Sequence, residues 1–163
     1  MPSMPSWDEV ERAAPELAAA VRARFDAYRH KVLGTLRSDG SPRLSGIETT
    51  FKDGELWLGM MPDSRKALDL RRDTRMALHT PPVDAELGDG DARITGRGVE
   101  VTEPGAMERL VEGDERHTDG PVPGHVFRVD VTEVMLLKVG DPPDHLVIES
   151  WHHGRGLRRI QRR

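Results

Sequence analysis

Apolar residues recur at helical spacing within the first 30 residues of the chain. Ser6 and Glu9 form a capping box, which predicts a short helix beginning near Trp7. Pro15 suits the first turn of a second helix, which we expect to end near residue 30. The apolar face of this helix, with steps of four, four and three residues, consists of Leu17, Val21, Phe25 and Tyr28. We therefore predict an N-terminal helical segment over residues 1–30.

Beyond residue 30 the pattern changes to short apolar runs separated by turn-forming residues. The turn signals Asp39–Gly40 and Asp53–Gly54 separate the first three predicted strands. The predicted strands cover residues 32–37, 43–51, 56–61, 75–80, 92–102, 126–139 and 146–151. Two further helices are predicted to begin near Ser64 and Pro104. Successive hairpins with inserted helices favour an antiparallel β-barrel with helical additions over a doubly wound sheet, in which strands and helices alternate.

Three stretches depart from this regular pattern. Gly96 and Gly98 interrupt the fifth predicted strand, which indicates a β-bulge or the close approach of another backbone. A loop is expected over residues 81–90. A second loop, over residues 113–124, is rich in Gly, Pro and Asp, and it is a candidate to close over a bound small molecule.

Composition and net charge exclude several classes of protein. The 163 residues fit a single domain over 1–163, and the absence of cysteine excludes disulfides and thiolate chemistry. The longest apolar run, Leu17–Val21, has five residues, whereas a membrane-spanning helix needs about 20. The N-terminus lacks the pattern of a signal peptide, and a net charge of −4 argues against nucleic-acid binding. We expect a cytoplasmic protein without membrane or nucleic-acid partners. Its low apolar fraction of 36% indicates either a well-solvated surface or a core completed by a partner chain.

The segment between the third predicted strand and its following helix carries the clearest chemistry. Ser64, Arg65 and Lys66 bring a hydroxyl, a guanidinium and an ammonium group to a helix N-terminus, where free backbone N–H groups already favour anions. An anion site is one interpretation. The alternative is a capped helix whose Arg65 and Lys66 side chains point into water.

The spacing of several short motifs resembles the pyridoxamine phosphate oxidase-like family of split-barrel flavin and deazaflavin proteins. The matching motifs are the segments 33–36, 39–43, 54–58, 64–66 and 70–73. The resemblance is close over about residues 30–80. It implies a mainly β fold with added helices, a six-stranded antiparallel split β-barrel of the FMN-binding type. It also implies a homodimer with the cofactor between the chains.

The resemblance also implies which residues contact the cofactor. Ser64, Arg65 and Lys66 correspond to the family's phosphate site. Along the cofactor ring lie the residues Ser45, Gly46, Ile47, Glu48 and Met60. Ser45 stands where the oxidase has an arginine, so one phosphate contact is missing. Glu48 is open to two interpretations, a proton donor or substrate contact facing the ring, or a solvent-facing strand residue.

The C-terminus offers a second similarity. Trp151, followed by Arg155, Arg158 and Arg159, resembles the end of the oxidase, where a tryptophan and a later arginine approach the flavin. The alternative interpretation of the basic C-terminal tail, residues 152–163, is a frayed and solvated segment. His145, His152 and His153 are interpreted as surface residues, and no metal site is expected.

The resemblance implies a flavin- or deazaflavin-dependent oxidoreductase that acts on a small molecule. FMN is the first expected cofactor, the deazaflavin coenzyme is the alternative, and heme is the third choice. A second hypothesis is a binding or carrier protein that holds such a cofactor without turnover. The missing arginine at position 45, together with a carboxylate at Glu48, predicts that pyridoxamine phosphate is not a useful substrate.

Overall fold

The structure, a computed structural model, describes residues 4–82, 88–117 and 119–163. Within these residues the chain forms four helices and nine strands. The helices are α1 (Trp7–Ala13), α2 (Pro15–Asp26), α3 (Arg65–Arg72) and α4 (Ala106–Val111). The strands are β1 (Lys31–Leu36), β2 (Pro42–Ile47), β3 (Thr49–Lys52), β4 (Glu55–Met60), β5 (Arg75–His79), β6 (Asp91–Val101), β7 (His125–Val139), β8 (Leu146–His152) and β9 (Gly156–Arg162). Residues 83–87 of the loop expected at 81–90, and Thr118 of the loop expected at 113–124, lie outside the described residues.

The strands form one antiparallel sheet that curves into an open barrel. Its main path runs β2-β1-β5-β6-β7-β4-β3, and β8 and β9 extend it beyond the second half of β7. The two ends of the path, β2 and β3, are consecutive in the chain but do not pair with each other in the described residues. This architecture confirms the expected split barrel with added helices. The described residues form nine strands, whereas the resemblance implies a six-stranded barrel and the sequence pattern predicts seven strands along the chain.

One extra strand arises because the predicted strand over residues 43–51 is in fact two. β2 pairs with β1, whereas β3 pairs with β4, so the chain changes partner at Glu48. Alternation of side chains cannot reveal such a change, because both halves keep the same period of two. The break leaves an open seam in the barrel between β2 and β3.

The second extra strand corrects the interpretation of residues 152–163 as a frayed tail. β9 pairs with β8 from Gly156 to Arg162, and the two strands form a hairpin. Most of the β9 side chains are exposed, on both faces of the strand. A strand without a buried face shows no apolar alternation, so the sequence pattern gave no sign of it.

The predicted irregularity in β6 is confirmed. Thr95 pairs with Glu133, but Gly96 pairs with Val131, so Thr132 is an extra residue and forms a bulge in β7. A Cβ atom on Gly96 would lie 2.0 Å from the carbonyl oxygen of Asp130. Glycine therefore permits the close approach of the two backbones that the bulge requires.

The hydrophobic core fills the barrel interior and extends under the N-terminal helices. Leu17, Val21 and Phe25 of α2 are buried as predicted, while Tyr28 lies beyond the end of the helix and is half-buried. The strands contribute alternate side chains, including Leu56, Leu58, Ile94, Phe127 and Val129. In the described residues, none of the helices is both long and apolar enough to cross a membrane.

A methyl group at position 96 is expected to destabilise the protein. We predict that Gly96→Ala lowers the free energy of unfolding by about 2 kcal/mol or more, because the barrel backbones must separate to accept it. Gly34→Ala in β1 is the matched control, because its Cβ would lie 3.7 Å from Leu44, an ordinary contact. Urea unfolding measures both effects, and equal stability of the two variants would contradict this account of the bulge.

Candidate functional site

A cavity of about 440 Å³ opens at the seam of the barrel, and we call it the seam cavity. One wall is formed by the barrel and the start of α3, with His30, Gly46, Ile47, Glu48, Thr50, Gly59, Met60, Met61 and Lys66. The opposite wall is formed by α4 and the loop after it, with Met107, Leu110, Val111, Arg116, His117, Val122 and Pro123. The break at Glu48 therefore places an opening between β2 and β3, and α4 covers it.

The cavity gathers about half of the site residues predicted from the sequence. Gly46, Ile47, Glu48, Met60 and Lys66 line it. Ser45 directly precedes Gly46 and Ser64 lies two residues before Lys66, but neither serine lines the cavity. Arg65 faces a different groove, and Trp151 lies in the hydrophobic core with 5% of its surface exposed.

The α4 wall was missing from the predicted site. Met107, Leu110 and Val111 belong to the helix predicted to begin near Pro104, but nothing local indicated which strand they would cover. The signal lay in β4, where Gly59 presents no side chain to α4. A Cβ on Gly59 would lie 3.1 Å from the nearest methyl group of Leu110. The helix therefore packs directly against the strand backbone.

The start of α3 meets β2 at one edge of the cavity. We call the four residues Ser45, Gly46, Ser64 and Lys66 the α3 corner, and Gly46 and Lys66 of this set line the cavity. Lys66 Nζ donates a hydrogen bond to the Gly46 carbonyl at 2.6 Å and has no ion pair in the described residues. Burial lowers the pKa of Lys66, because no counter-charge compensates the desolvated ammonium group. The alternative of basic side chains pointing into water describes the exposed Arg65 but not Lys66.

Two buried hydroxyl groups at the α3 corner have no hydrogen-bond partner among the residues that the structure describes. Ser64 occupies the N-cap position of α3, yet its side chain makes no capping hydrogen bond. Its Oγ atom and that of Ser45 are both buried and unpartnered. Such groups are costly unless a ligand or water satisfies them. A cation without a counter-ion, two unpartnered hydroxyls and a helix N-terminus together favour a bound anion such as phosphate.

Asp69, in the middle of α3, fixes the orientation of this helix. Its buried carboxylate accepts hydrogen bonds from Thr35 of β1 at 2.8 Å and from Arg43 of β2 at 2.7 Å. Arg72 of the same helix donates a third at 3.0 Å. Burial alone would raise the pKa of Asp69, but these hydrogen bonds outweigh it and hold the pKa below its ordinary value. The carboxylate therefore ties α3 to β1 and β2.

Arg65 lies in a separate groove of about 300 Å³ on the far side of Asp69. The groove is also lined by Arg37, Arg43 and Arg72. Arg65 and Lys66 are consecutive on a helix, and their side chains therefore point about 100° apart. Only Lys66 of this pair reaches the seam cavity.

Glu48 lies at the mouth of the seam cavity and is paired there. Arg116 approaches both of its carboxylate oxygens at 3.0 Å, and Arg29 Nε donates to one of them at 2.9 Å. The Arg116 guanidinium also pairs with Asp114 in its own loop. Glu48 therefore offers no uncompensated charge, and repulsion by Glu48 no longer argues against a phosphorylated substrate. The same contact joins the loop expected at 113–124 to the barrel.

The fold and the site define a split barrel with a cavity at its seam. The sequence profile described as pyridoxamine 5'-phosphate oxidase matches residues 17–138. The chain therefore belongs to the pyridoxamine 5'-phosphate oxidase family. A search of curated proteins found no match.

Solved structures share this fold at low sequence identity. PhzG from Burkholderia lata 383, in complex with tetrahydrophenazine-1-carboxylic acid, is 15% identical with a TM-score of 0.67, covering 98% of this chain and 93% of PhzG. An F420 reductase is 17% identical with a TM-score of 0.52, covering 64% of this chain and 87% of the reductase. A heme binding protein from Mycobacterium smegmatis is 15% identical with a TM-score of 0.52, covering 88% of this chain and 87% of that protein. At these identities the likeness establishes the fold alone.

Loss of the Asp69 charge is expected to destabilise the protein in a pH-dependent way. We predict that Asp69→Asn lowers the free energy of unfolding at pH 7 by about 3 kcal/mol, because it leaves buried donors without their anion. Since the pKa of Asp69 is lowered on folding, its contribution is complete at neutral pH and is lost as the pH falls through the folded-state pKa. The difference between wild type and variant should therefore narrow in acid.

Asp73→Asn is the matched control for this experiment. Asp73 follows the same helix, and hydrogen bonds from Arg75 lower its pKa to about 2. Arg75 is exposed and Asp73 only half-buried, so solvent screens the pair, and we expect it to contribute much less to stability than the buried Asp69. Urea unfolding at pH 7 and at acidic pH compares the variants. An Asp69→Asn protein as stable as Asp73→Asn at pH 7 would contradict the anchoring role.

Proposed function

We propose that the protein is a flavin- or deazaflavin-dependent oxidoreductase that binds its cofactor in the seam cavity, with the cofactor phosphate at the α3 corner. The observation that carries the proposal is the partly buried Lys66 on the cavity wall, together with Ser64 two residues before it and Ser45 next to Gly46, whose hydroxyls have no partner among the described residues. A phosphate would accept hydrogen bonds from Ser45, Ser64 and Lys66 and compensate the lysine charge. Arg65 is expected to act on this phosphate only through its longer-range positive charge.

The rest of the cavity suits a flat ring system. The backbone around Gly46 and Ile47 offers polar groups at the end of β2, and Met60 provides an apolar surface. Met107 and Leu110 of α4 supply the opposite apolar wall and exclude water. A flavin or deazaflavin bound here would supply the hydride or electron chemistry, so the chain itself has to bind and orient rather than to provide a nucleophile.

FMN is the first candidate cofactor, the deazaflavin coenzyme is the alternative, and heme is the third. FMN and the deazaflavin coenzyme carry the phosphate that the α3 corner favours, whereas heme carries carboxylates and needs an axial ligand. The absorption spectrum of the freshly purified protein distinguishes the three, because their bands differ. A colourless preparation is then titrated with each cofactor.

A non-catalytic carrier of the same cofactor is the second candidate function. It is favoured by Glu48, because Arg29 and Arg116 occupy the carboxylate oxygens that would otherwise contact a bound substrate. Reduction of the bound cofactor by NAD(P)H, followed by reoxidation by small-molecule acceptors, separates the two functions. A carrier would give no steady-state turnover with any donor.

The cytoplasmic location expected from the sequence stays a prediction.

Removal of the Lys66 ammonium group is expected to weaken binding of phosphate-bearing cofactors. We predict that Lys66→Ala lowers the affinity for FMN about 10- to 100-fold, the loss of a charged hydrogen bond, and leaves riboflavin binding unchanged. Arg65→Ala is the matched control, with a smaller effect because its side chain faces the neighbouring groove. Fluorescence titration measures each dissociation constant. Unchanged FMN affinity in Lys66→Ala would refute the assignment of the α3 corner.

We also propose a homodimer with the cofactor between the chains. Large apolar side chains near the cavity support this, since Leu44 of β2 is 74% exposed and Met61 is 78% exposed. Light scattering at micromolar concentration is expected to give twice the 18.2 kDa mass of one chain. A monomeric mass with the cofactor still bound would rule out the shared site.

A further inference from the structure

The turn that leads into α3 has an unusual residue at its strained position. Met61, Pro62, Asp63 and Ser64 form a turn closed by a hydrogen bond from the Ser64 N–H to the Met61 carbonyl at 3.2 Å. Asp63 has a φ of 55°, in the left-handed region. Proline at the second position and a left-handed residue at the third are the pattern of a type II turn, in which glycine is usual at the third position. Aspartate enters this region more readily than most residues but less readily than glycine, so an additional interaction helps to hold the turn.

His125, at the start of β7, provides that interaction. The Asp63 backbone N–H donates to His125 Nε2 at 3.0 Å, so Nε2 is unprotonated and the ring hydrogen lies on Nδ1. Nδ1 lies 3.2 Å from both Glu100 Oε1 and Arg71 Nη2. With the hydrogen on Nδ1, Glu100 accepts it, and the Arg71 guanidinium, which donates to the Glu100 oxygens, is only a close neighbour of the ring. The His125 side chain is only 14% exposed, so water competes little with these contacts.

Glu100 links His125 to the last turn of α3. Arg71, in the last turn of this helix, donates to both Glu100 oxygens at 2.6 and 2.7 Å. Arg71 lowers the pKa of Glu100 and keeps this carboxylate ionised, and it therefore remains an acceptor for the His125 ring. The chain of contacts runs from the turn before α3 through β7 and β6 to the end of the same helix.

We propose that His125 is a positioning residue for the α3 corner. His125 holds the Asp63 turn in the conformation that directs Ser64 and the first amides of α3 towards an anion. The inference rests on the proposed function. Without the imidazole acceptor, the peptide between Pro62 and Asp63 is free to rotate, and Asp63 returns to the negative φ that it prefers. Rotation of this peptide displaces Ser64 and the start of α3 and leaves the rest of the seam cavity in place.

Paired ligands with and without a phosphate test this role. The dissociation constants of FMN and riboflavin, and of a phosphate-bearing deazaflavin and its phosphate-free form, are measured on the full chain by fluorescence titration. His125→Phe keeps the ring size and removes the acceptor. We expect this variant to bind the phosphate-bearing ligands about tenfold more weakly and the phosphate-free ligands unchanged. His152→Phe on β8, which does not line the seam cavity, is the matched control and should change neither.

Glycine at position 63 provides the sharper test. Gly adopts positive φ without cost, so Asp63→Gly keeps the turn whether or not an acceptor is present. We therefore expect His125→Phe to weaken FMN binding in the natural chain but not in the Asp63→Gly background. Comparison within each background removes the effect of the lost Asp63 charge itself.

Each outcome decides the question. Equal weakening of phosphate-bearing and phosphate-free ligands in His125→Phe would make His125 a general support of the barrel and overturn the inference. An unchanged preference of that variant for phosphate-bearing ligands would also overturn the inference. A loss of FMN affinity that persists in the Asp63→Gly background would do the same. A wild-type protein that prefers the phosphate-bearing member of neither pair would refute the α3 corner as a phosphate site, and the proposed function would fail with the inference.

Discussion

The candidate site depends on the buried carboxylate of Asp69. A carboxylate removed from water costs several kcal/mol unless donors surround it. Thr35, Arg43 and Arg72 supply those donors from β1, β2 and α3 itself. Because the donors come from three elements, the helix can satisfy the carboxylate in only one orientation. That orientation brings the start of α3 against β2, where Lys66 reaches the Gly46 carbonyl.

The seam supplies the space that this corner faces. At Glu48 the pairing partner of the chain changes from β1 to β4, so β2 and β3 remain unpaired with each other in the described residues. α4 can cover the gap because Gly59 has no side chain to hold it away. A polar corner and an apolar wall thus lie across one cavity, and a phosphate-bearing ring cofactor requires this combination of surfaces.

Most of the fold could be predicted from the sequence, because its elements carry local signals. Each of these signals spans only a few residues: the apolar face of α2, the turns at Asp39 and Asp53, and the glycines of β6. The break at Glu48 and the strand β9 could not be predicted. Exchange of a pairing partner is a property of the whole barrel, and β9 has no buried face to produce alternation.

The candidate site also contains residues that could be proposed from the sequence and residues that could not. Lys66 and Ser64 could be proposed as site residues from the sequence, because a helix start with polar residues is a local pattern and the family resemblance pointed to the same segment. Arg116 was not found, because it meets Glu48 across 68 residues of sequence. Arg65 was grouped with Lys66, yet consecutive positions on a helix face different directions, so its groove became visible only in three dimensions.

A crystal structure of the protein with FMN tests the central claim most directly. The account predicts that the phosphate lies within hydrogen-bonding distance of Lys66 Nζ and the Ser64 hydroxyl, with the ring between Met60 and the α4 wall. A phosphate bound instead in the Arg65 groove, or a ring outside the seam cavity, would contradict it.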